Sequence, residues 1–159
     1  MRDRVPPSAT LGDVLAARRR RRFVGRAAEL ELVRAALDAP RSPFSVLYLY
    51  GPGGIGKTSL LDEVADLAAG AGSALVRLDG RDLVPHPAAV LAALEKHLDV
   101  GADRIAIASG QRLVTVIDTY EALAPIDGWI RRNLLPRFPD DAVTVIAGRD
   151  PPSPQWRSD

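Results

Sequence analysis

Eight consecutive residues, Gly51-Pro52-Gly53-Gly54-Ile55-Gly56-Lys57-Thr58, constrain this chain more than any other stretch. They satisfy the spacing G-x-x-x-x-G-K-[ST], which has a physical reason. Glycines let a loop wrap until successive backbone N–H groups point inward and form a nest for phosphate oxygens. A helix starting near Lys57 aims its positive end at the same place. The context fits. Ser45–Tyr50 is a short apolar run, read as a buried strand, and the residues after the loop carry Leu60, Leu61, Val64, Leu67 and Ala68 on one helical stripe that stops at Gly70. Strand, glycine loop and helix in that order are the unit from which parallel α/β sheets are built.

The rest of the chain repeats the alternation. A helix with Leu30, Val33 and Leu37 on one face is ended by Ala39-Pro40 and Ser42-Pro43. Ala74–Leu78 reads as a second strand closed by Asp79-Gly80, and a helix opens at Pro87 with Val90, Leu91, Leu94 and Leu98. Residues 99–110 give no single reading. Leu113–Ile117 is a third strand closed by Asp118, a helix around Ile126–Leu135 lies between Pro125 and Pro136, and Ala142–Ala147 is a fourth strand ended by Gly148-Arg149. The strands are continuous apolar runs, the signature of a mostly parallel sheet covered on both faces. The expected fold is a three-layer α/β P-loop NTPase core over residues 23–150. It is flanked by a flexible Arg-rich arm (residues 1–22) and by the start of an incomplete C-terminal continuation (151–159).

In a P-loop, the backbone of Gly51, Pro52, Gly53, Gly54, Ile55, Gly56 and Ser59 would wrap around phosphates, Lys57 would reach the β- and γ-phosphates, and the Thr58 hydroxyl would bind Mg²⁺. Leu113-Val114-Thr115-Val116-Ile117-Asp118 is an apolar strand ending in an acid, placing Asp118 where it could fix the same ion. Hydrolysis would need a group acting on the attacking water. The position after Asp118 is Thr119, and the nearest acid is Glu121. Glu121 either points back toward a γ-phosphate or is a first-turn residue favoured by the helix dipole. Gly51, Gly53 and Gly56 also spell G-x-G-x-x-G, with Asp79 at the end of the next strand, as in a dinucleotide-binding Rossmann site. Lys57-Thr58 and the acid on the third strand tip the balance toward the P-loop, leaving Asp79 as a turn former. No N-K-x-D base-reading motif is visible, which favours ATP over GTP. A small-molecule kinase with Asp79 holding the acceptor, or a module that binds ATP or ADP without turnover, are the further readings.

Composition narrows the rest. At 47% hydrophobic, 159 residues suffice for one domain with a core. There is no Cys, which excludes disulfides and thiol chemistry and fits a reducing cytoplasm. No apolar run approaches the roughly 18 residues of a membrane span, and the charged N-terminus lacks the apolar region of a secretory signal. Seven Arg and two Asp give residues 1–22 a charge of +5, so with a total of +1 the remainder carries −4. A mildly acidic core argues against a broad nucleic-acid surface on it. Arg18–Arg22, without interleaved aromatics, reads as a solvated arm. His86 and His97 have no acidic cluster at metal spacing and read as structural or exposed. Tyr48 and Tyr50 read as core, and Trp129 and Trp156 as packing residues, with Trp156 left exposed if its partners are missing.

Phe23-Val24-Gly25-Arg26-Ala27-Ala28-Glu29-Leu30 resembles the V-G-R-x-x-E-L segment that precedes the P-loop in AAA+-related ATPases. These include the STAND signalling NTPases and the origin-recognition-like bacterial AAA domains. The resemblance covers residues 23–150, with Walker A at 51–58, Walker B at 113–118 and Gly148-Arg149 as a sensor-1-like strand end. It implies that Val24, Gly25 and Arg26 lie beside the adenine, that Arg149 faces the γ-phosphate, and that the fourth strand sits between the first and the third. It further implies Mg-ATP or ADP as ligand, slow hydrolysis with Asp118, Glu121 and Arg149 as the reacting set, and a nucleotide switch working with downstream domains of a longer chain. A nucleotide-dependent homo-oligomer is part of the same expectation, with nucleic acid contacted only through other domains. Two departures stand out: Thr119 replaces the usual second acid, and no fifth strand, helical lid or sensor-2 region is found in the sequence.

Overall fold

The computed structural model describes residues 27–157. The expected turn of helix near Leu11–Ala17, the Arg18–Arg22 run and Val24-Gly25-Arg26 lie outside the described residues. The first helix, α1 (Ala27–Asp38), buries Leu30, Val33 and Ala36 and ends just ahead of Pro40. Strand β1 (Val46–Tyr50) leads through the glycine loop into α2 (Lys57–Gly70). Helix α2 buries Leu60, Leu61, Val64, Ala65 and Ala68. Its left-handed closing residue is Gly72 (φ 71°), two positions beyond the expected stop. Then come β2 (Ala74–Asp79), a 3-10 turn (Gly80–Asp82) and α3 (Pro87–Glu95). His86 caps α3, its Nδ1 accepting from the Ala88 amide at 3.2 Å. The stretch that gave no single reading forms a two-stranded antiparallel ladder, β3 (Asp99–Val100) with β4 (Ile105–Ala106). Strands β5 (Leu113–Asp118) and β6 (Val143–Gly148) complete the main sheet.

That sheet runs β1-β6-β5-β2 with every pairing parallel. The fourth main strand therefore lies between the first and the third, as expected. Strand residues alternate between two faces. Leu49, Val114, Val116, Val143 and Val145 pack with α1 and α2, while Val76, Leu78, Leu113, Ile117 and Ile146 pack with α3 and residues 120–137. Parallel pairing also gathers the strands' C-terminal ends: Tyr50 is registered with Gly148, and Asp79 with Asp118. The loops at 51–56, 80–82, 119–121 and 149 thus leave from one edge, where such sheets hold ligands.

Two expectations need correction. The helix between Pro125 and Pro136 is not one regular helix. It is a 3-10 stretch (Tyr120–Ile126) containing Pro125, a single turn (α4, Asp127–Trp129), a π-helical stretch (Ile130–Leu134) and a 3-10 turn (Leu135–Arg137). Proline removes an amide donor and crowds the preceding turn, so hydrogen bonding changes period around it. Tyr50 is not core: as the last residue of β1 it stands at the sheet's rim, 54% exposed. Trp156 is a packing residue, as expected, and finds its partners within the chain. It packs edge-on to Tyr48 and Tyr120, with centroids 5.7 and 6.1 Å away, and its indole N–H donates to Asp127.

Candidate functional site

At the C-terminal edge of the sheet, residues 53–59 and Arg81, Asp118, Thr119, Glu121, Gly148 and Arg149 enclose a crevice of about 730 Å³. Its floor is the loop after β1. Gly56 takes φ 87° as the residue before α2, a left-handed conformation that glycine adopts without steric cost, and no side chain caps the helix. The first-turn amides of α2 therefore remain as donors, with the positive end of the helix dipole behind them. Gly51 and Pro52 do not line the crevice. Their carbonyl oxygens accept from Lys57 Nζ at 2.6 and 2.8 Å, folding the ammonium back over the loop.

Across the crevice, Thr58 Oγ1 donates to Asp118 Oδ2 at 2.9 Å, joining residues 60 positions apart. Asp118 is only 8% exposed, and its other oxygen accepts from the Thr119 amide at 2.8 Å. A hydroxyl and a carboxylate side by side form a hard oxygen donor pair of the kind that suits Mg²⁺. Among the described residues no group of three or more His, Asp or Glu gathers to hold a metal on its own. An ion here would take its remaining ligands from water and from phosphate, which is how Mg²⁺ is bound in phosphoryl-transfer sites.

The 119–121 turn departs from a simple strand end. Thr119 has φ 52°, the one positive φ on a non-glycine residue among the described residues. A β-branched residue there is strained, and such strain concentrates at ligand sites. The turn swings Glu121 over the crevice, where Oε2 accepts from the Arg149 amide at 3.1 Å and Oε1 lies 3.6 Å from Arg149 Nε. Glu121 thus begins a 3-10 stretch and also faces the crevice. The Arg149 guanidinium reaches over the loop, its Nη2 lying 3.9 Å from where a Cβ on Gly53 would sit.

Of the residues singled out in the sequence, the structure brings Gly53 to Ser59, Asp118, Glu121 and Arg149 to this one crevice. Arg81 is the member that sequence reasoning missed. It follows Gly80 in the turn after β2, and its Nε and Nη2 grip Asp79 at 3.0 and 2.5 Å. Asp79 also accepts from the Arg81 amide at 2.9 Å, so its carboxylate is fully used as a turn former. Those hydrogen bonds hold the Asp79 carboxyl below the usual carboxylate range despite an opposing effect of burial. The available signal was Asp79-Gly80-Arg81 at the end of a strand. Its register beside Asp118 emerges only once the sheet is assembled.

No helix among the described residues is long and apolar enough to cross a membrane. No curated protein matches the chain. The family model described as the AAA ATPase domain matches residues 22–146, the whole span from the segment ahead of α1 to the third-last residue of β6. The loop, the acid at the end of β5 and the strand order carry the same assignment: the chain belongs to the AAA ATPase domain family.

Proposed function

We propose that residues 23–150 form a core that binds ATP with Mg²⁺, hydrolyses it slowly, and serves as the nucleotide switch of a larger signalling or transcription-regulating ATPase of the STAND or origin-recognition-like class. The observation that carries this reading is the Thr58–Asp118 hydrogen bond at 2.9 Å beside the glycine loop. It sets two oxygen ligands next to a nest of backbone amides before any ligand arrives, so little reorganisation opposes binding. In this reading the amides of Gly53 to Gly56 and Ser59 surround the phosphates and Lys57 moves from the carbonyls of Gly51 and Pro52 to phosphate oxygens. Thr58 and Asp118 hold the ion, Glu121 orients water, Arg149 faces the γ-phosphate, and Val24, Gly25 and Arg26 lie by the adenine. Mg²⁺, when bound at Thr58 and Asp118, would neutralise phosphate charge.

A reading without turnover has its own support. Thr119 occupies the position of the usual second acid, and Glu121 is engaged by Arg149. Two measurements separate the cases. Thermal unfolding with Mg-ATP at about 100 times its dissociation constant should gain roughly 2.7 kcal/mol, several degrees for a chain of this size. The gain should vanish in Lys57→Ala; a Lys57→Ala protein that keeps it would remove the P-loop assignment. Phosphate release that disappears in Glu121→Gln supports hydrolysis. Binding without release in the wild type leaves the module reading.

A further inference from the structure

Resting on that nucleotide reading, we infer that Arg81 is an additional anion-binding residue of the crevice, acting on the terminal phosphate of a bound nucleoside triphosphate from the β2 side. The strand order is the first ground. The loop belongs to β1, at one edge of the sheet, and Arg81 follows β2, at the other edge. Strands spaced about 4.8 Å apart put the two edges roughly 14 Å from each other. Arg149, which follows β6 next to β1, reaches over the loop at Gly53. Arg81 therefore lines the crevice from the side opposite the loop, beyond Asp118 and Thr119 and across from Arg149.

The second ground is how the guanidinium is held. Nε and Nη2 are spent on the Asp79 carboxylate in a two-pronged grip. That fixes the plane of the group and leaves Nη1 for another acceptor. The turn carrying it is itself pinned. A Cβ on Gly80 would overlap the Thr119 carbonyl oxygen, so glycine is what allows the β2 turn to lie directly against the strained Asp118–Thr119 turn.

Charge is the third ground. Lys57, Arg81 and Arg149 line the crevice with Asp118 and Glu121, and the Asp79 carboxylate gripped by Arg81 adjoins it, so three cations match three carboxylates. Without Arg81 the carboxylates would outnumber the cations three to two, which disfavours a polyanionic ligand. At 70% exposure the Arg81 side chain has no packing role that would explain its place.

The test is a titration of Mg-ATP and Mg-ADP against the wild-type chain, Arg81→Ala, Arg81→Gln and Lys57→Ala. Arg81→Ala should lose about tenfold in affinity for the triphosphate, as expected for one charge-assisted hydrogen bond, with the diphosphate changed by less than about twofold. Arg81→Gln, which keeps the stem and loses the cation, should behave alike, with both variants melting within a degree or two of wild type. Equal losses for both nucleotides, or no loss for either, would overturn the inference while the wild type still binds. Absence of binding by the wild type, or full binding by Lys57→Ala, would instead remove the nucleotide reading and this inference with it.

Discussion

Beneath α1 and α2 the buried core is aliphatic: Leu30, Val33, Leu60, Leu61 and Val64 close over Leu49, Val114, Val116 and Val145. On the other face the same strands present Val76, Ile117 and Ile146 together with a half-buried Tyr48 and the buried Thr115 and Thr144. What covers them there is α3 together with the broken helical stretch 120–137, whose fixed point is a carboxylate. Asp127 Oδ1 accepts from Tyr120 and Trp156, both at 2.8 Å, and Oδ2 from Arg131 at 3.0 Å and Ser153 at 3.2 Å. Tyr48, Tyr120 and Trp156 meet edge to face around it. One face is held by non-directional burial, and its helices are regular. The other adds to its own apolar cluster a set of directional bonds to one residue, and the backbone over it is irregular. The crevice takes parts from both: the loop rests on α2, whereas Glu121 belongs to the irregular face.

The largest expected effect lies on the aliphatic face. Leu61 is fully buried, and Leu61→Ala should destabilise the chain by about 3 kcal/mol through lost burial and a residual cavity. Denaturant unfolding checks it, and a loss under about 1 kcal/mol would mean this face is loosely packed. Asp127→Ala should follow closely, at about 2–3 kcal/mol, because buried donors on Tyr120 and Trp156 lose their acceptor. It carries a local signature that Leu61→Ala lacks: Trp156 fluorescence should shift to the red as residues 153–157 detach. Unfolding without that early shift would show that Trp156 is held by its ring contacts and not by the carboxylate.

This contrast also explains what the sequence could and could not disclose. Leu30 and Val33, or Leu60, Leu61 and Val64, announce their helices by spacing alone, because burial of a stripe depends only on period. Each main strand was equally plain as an apolar run, and the loop 51–58 as a spacing of glycines before Lys57. Asp127 announces nothing: its partners lie at positions 120, 131, 153 and 156, and no local period relates them. The regular helix expected between Pro125 and Pro136 was the reading that spacing alone supports, and long-range hydrogen bonds overrode it. Arg81 was hidden for the same kind of reason, since its value comes from the β2–β5 register. Trp156 is legible as a packing residue, but its partners are not, because Tyr48 and Tyr120 come from distant elements.

Titration sharpens the comparison, because the aliphatic core carries no ionisable group. Burial alone would raise the Asp127 carboxyl, but the hydrogen bonds from Tyr120, Arg131, Trp156 and Ser153 outweigh it and hold the carboxyl below its usual range. A depressed folded value means the stabilisation is present above the unfolded value near 3.9 and is lost as pH falls through the folded one. Tyr48 is pushed up to about 12 by burial, reinforced by the negative charges of Asp127, Asp150 and Glu121. There the sign is opposite: the contribution is complete below the unfolded value near 10 and is lost as pH rises through about 12. Stability measured against pH should therefore fall at both ends. Asp127→Ala should flatten the acid limb and Tyr48→Phe part of the alkaline limb, while Leu61→Ala lowers the whole curve without changing its shape. Profiles that stay parallel in all three variants would mean that the polar face contributes no pH dependence.

The smallest expected effect asks whether every polar group on the second face helps to hold it. Thr115 lies in the middle of β5, registered with Thr144 of β6, and its Oγ1 is buried with no hydrogen-bond partner among the described residues. A desolvated hydroxyl without a partner opposes folding. Thr115→Val keeps the branched shape that a central strand favours and exchanges the hydroxyl for a methyl group among Leu113, Ile117 and Ile146. The variant should be as stable as the wild type or more so, by up to about 1 kcal/mol, raising the melting temperature by roughly 2–4 °C. A loss of more than about 1 kcal/mol would show that a water molecule or a local shift satisfies the hydroxyl, so that the polar network extends from Asp127 into the sheet itself. A gain confines that network to the rim, where Asp127 gathers its donors, and leaves the centre of both faces governed by burial alone.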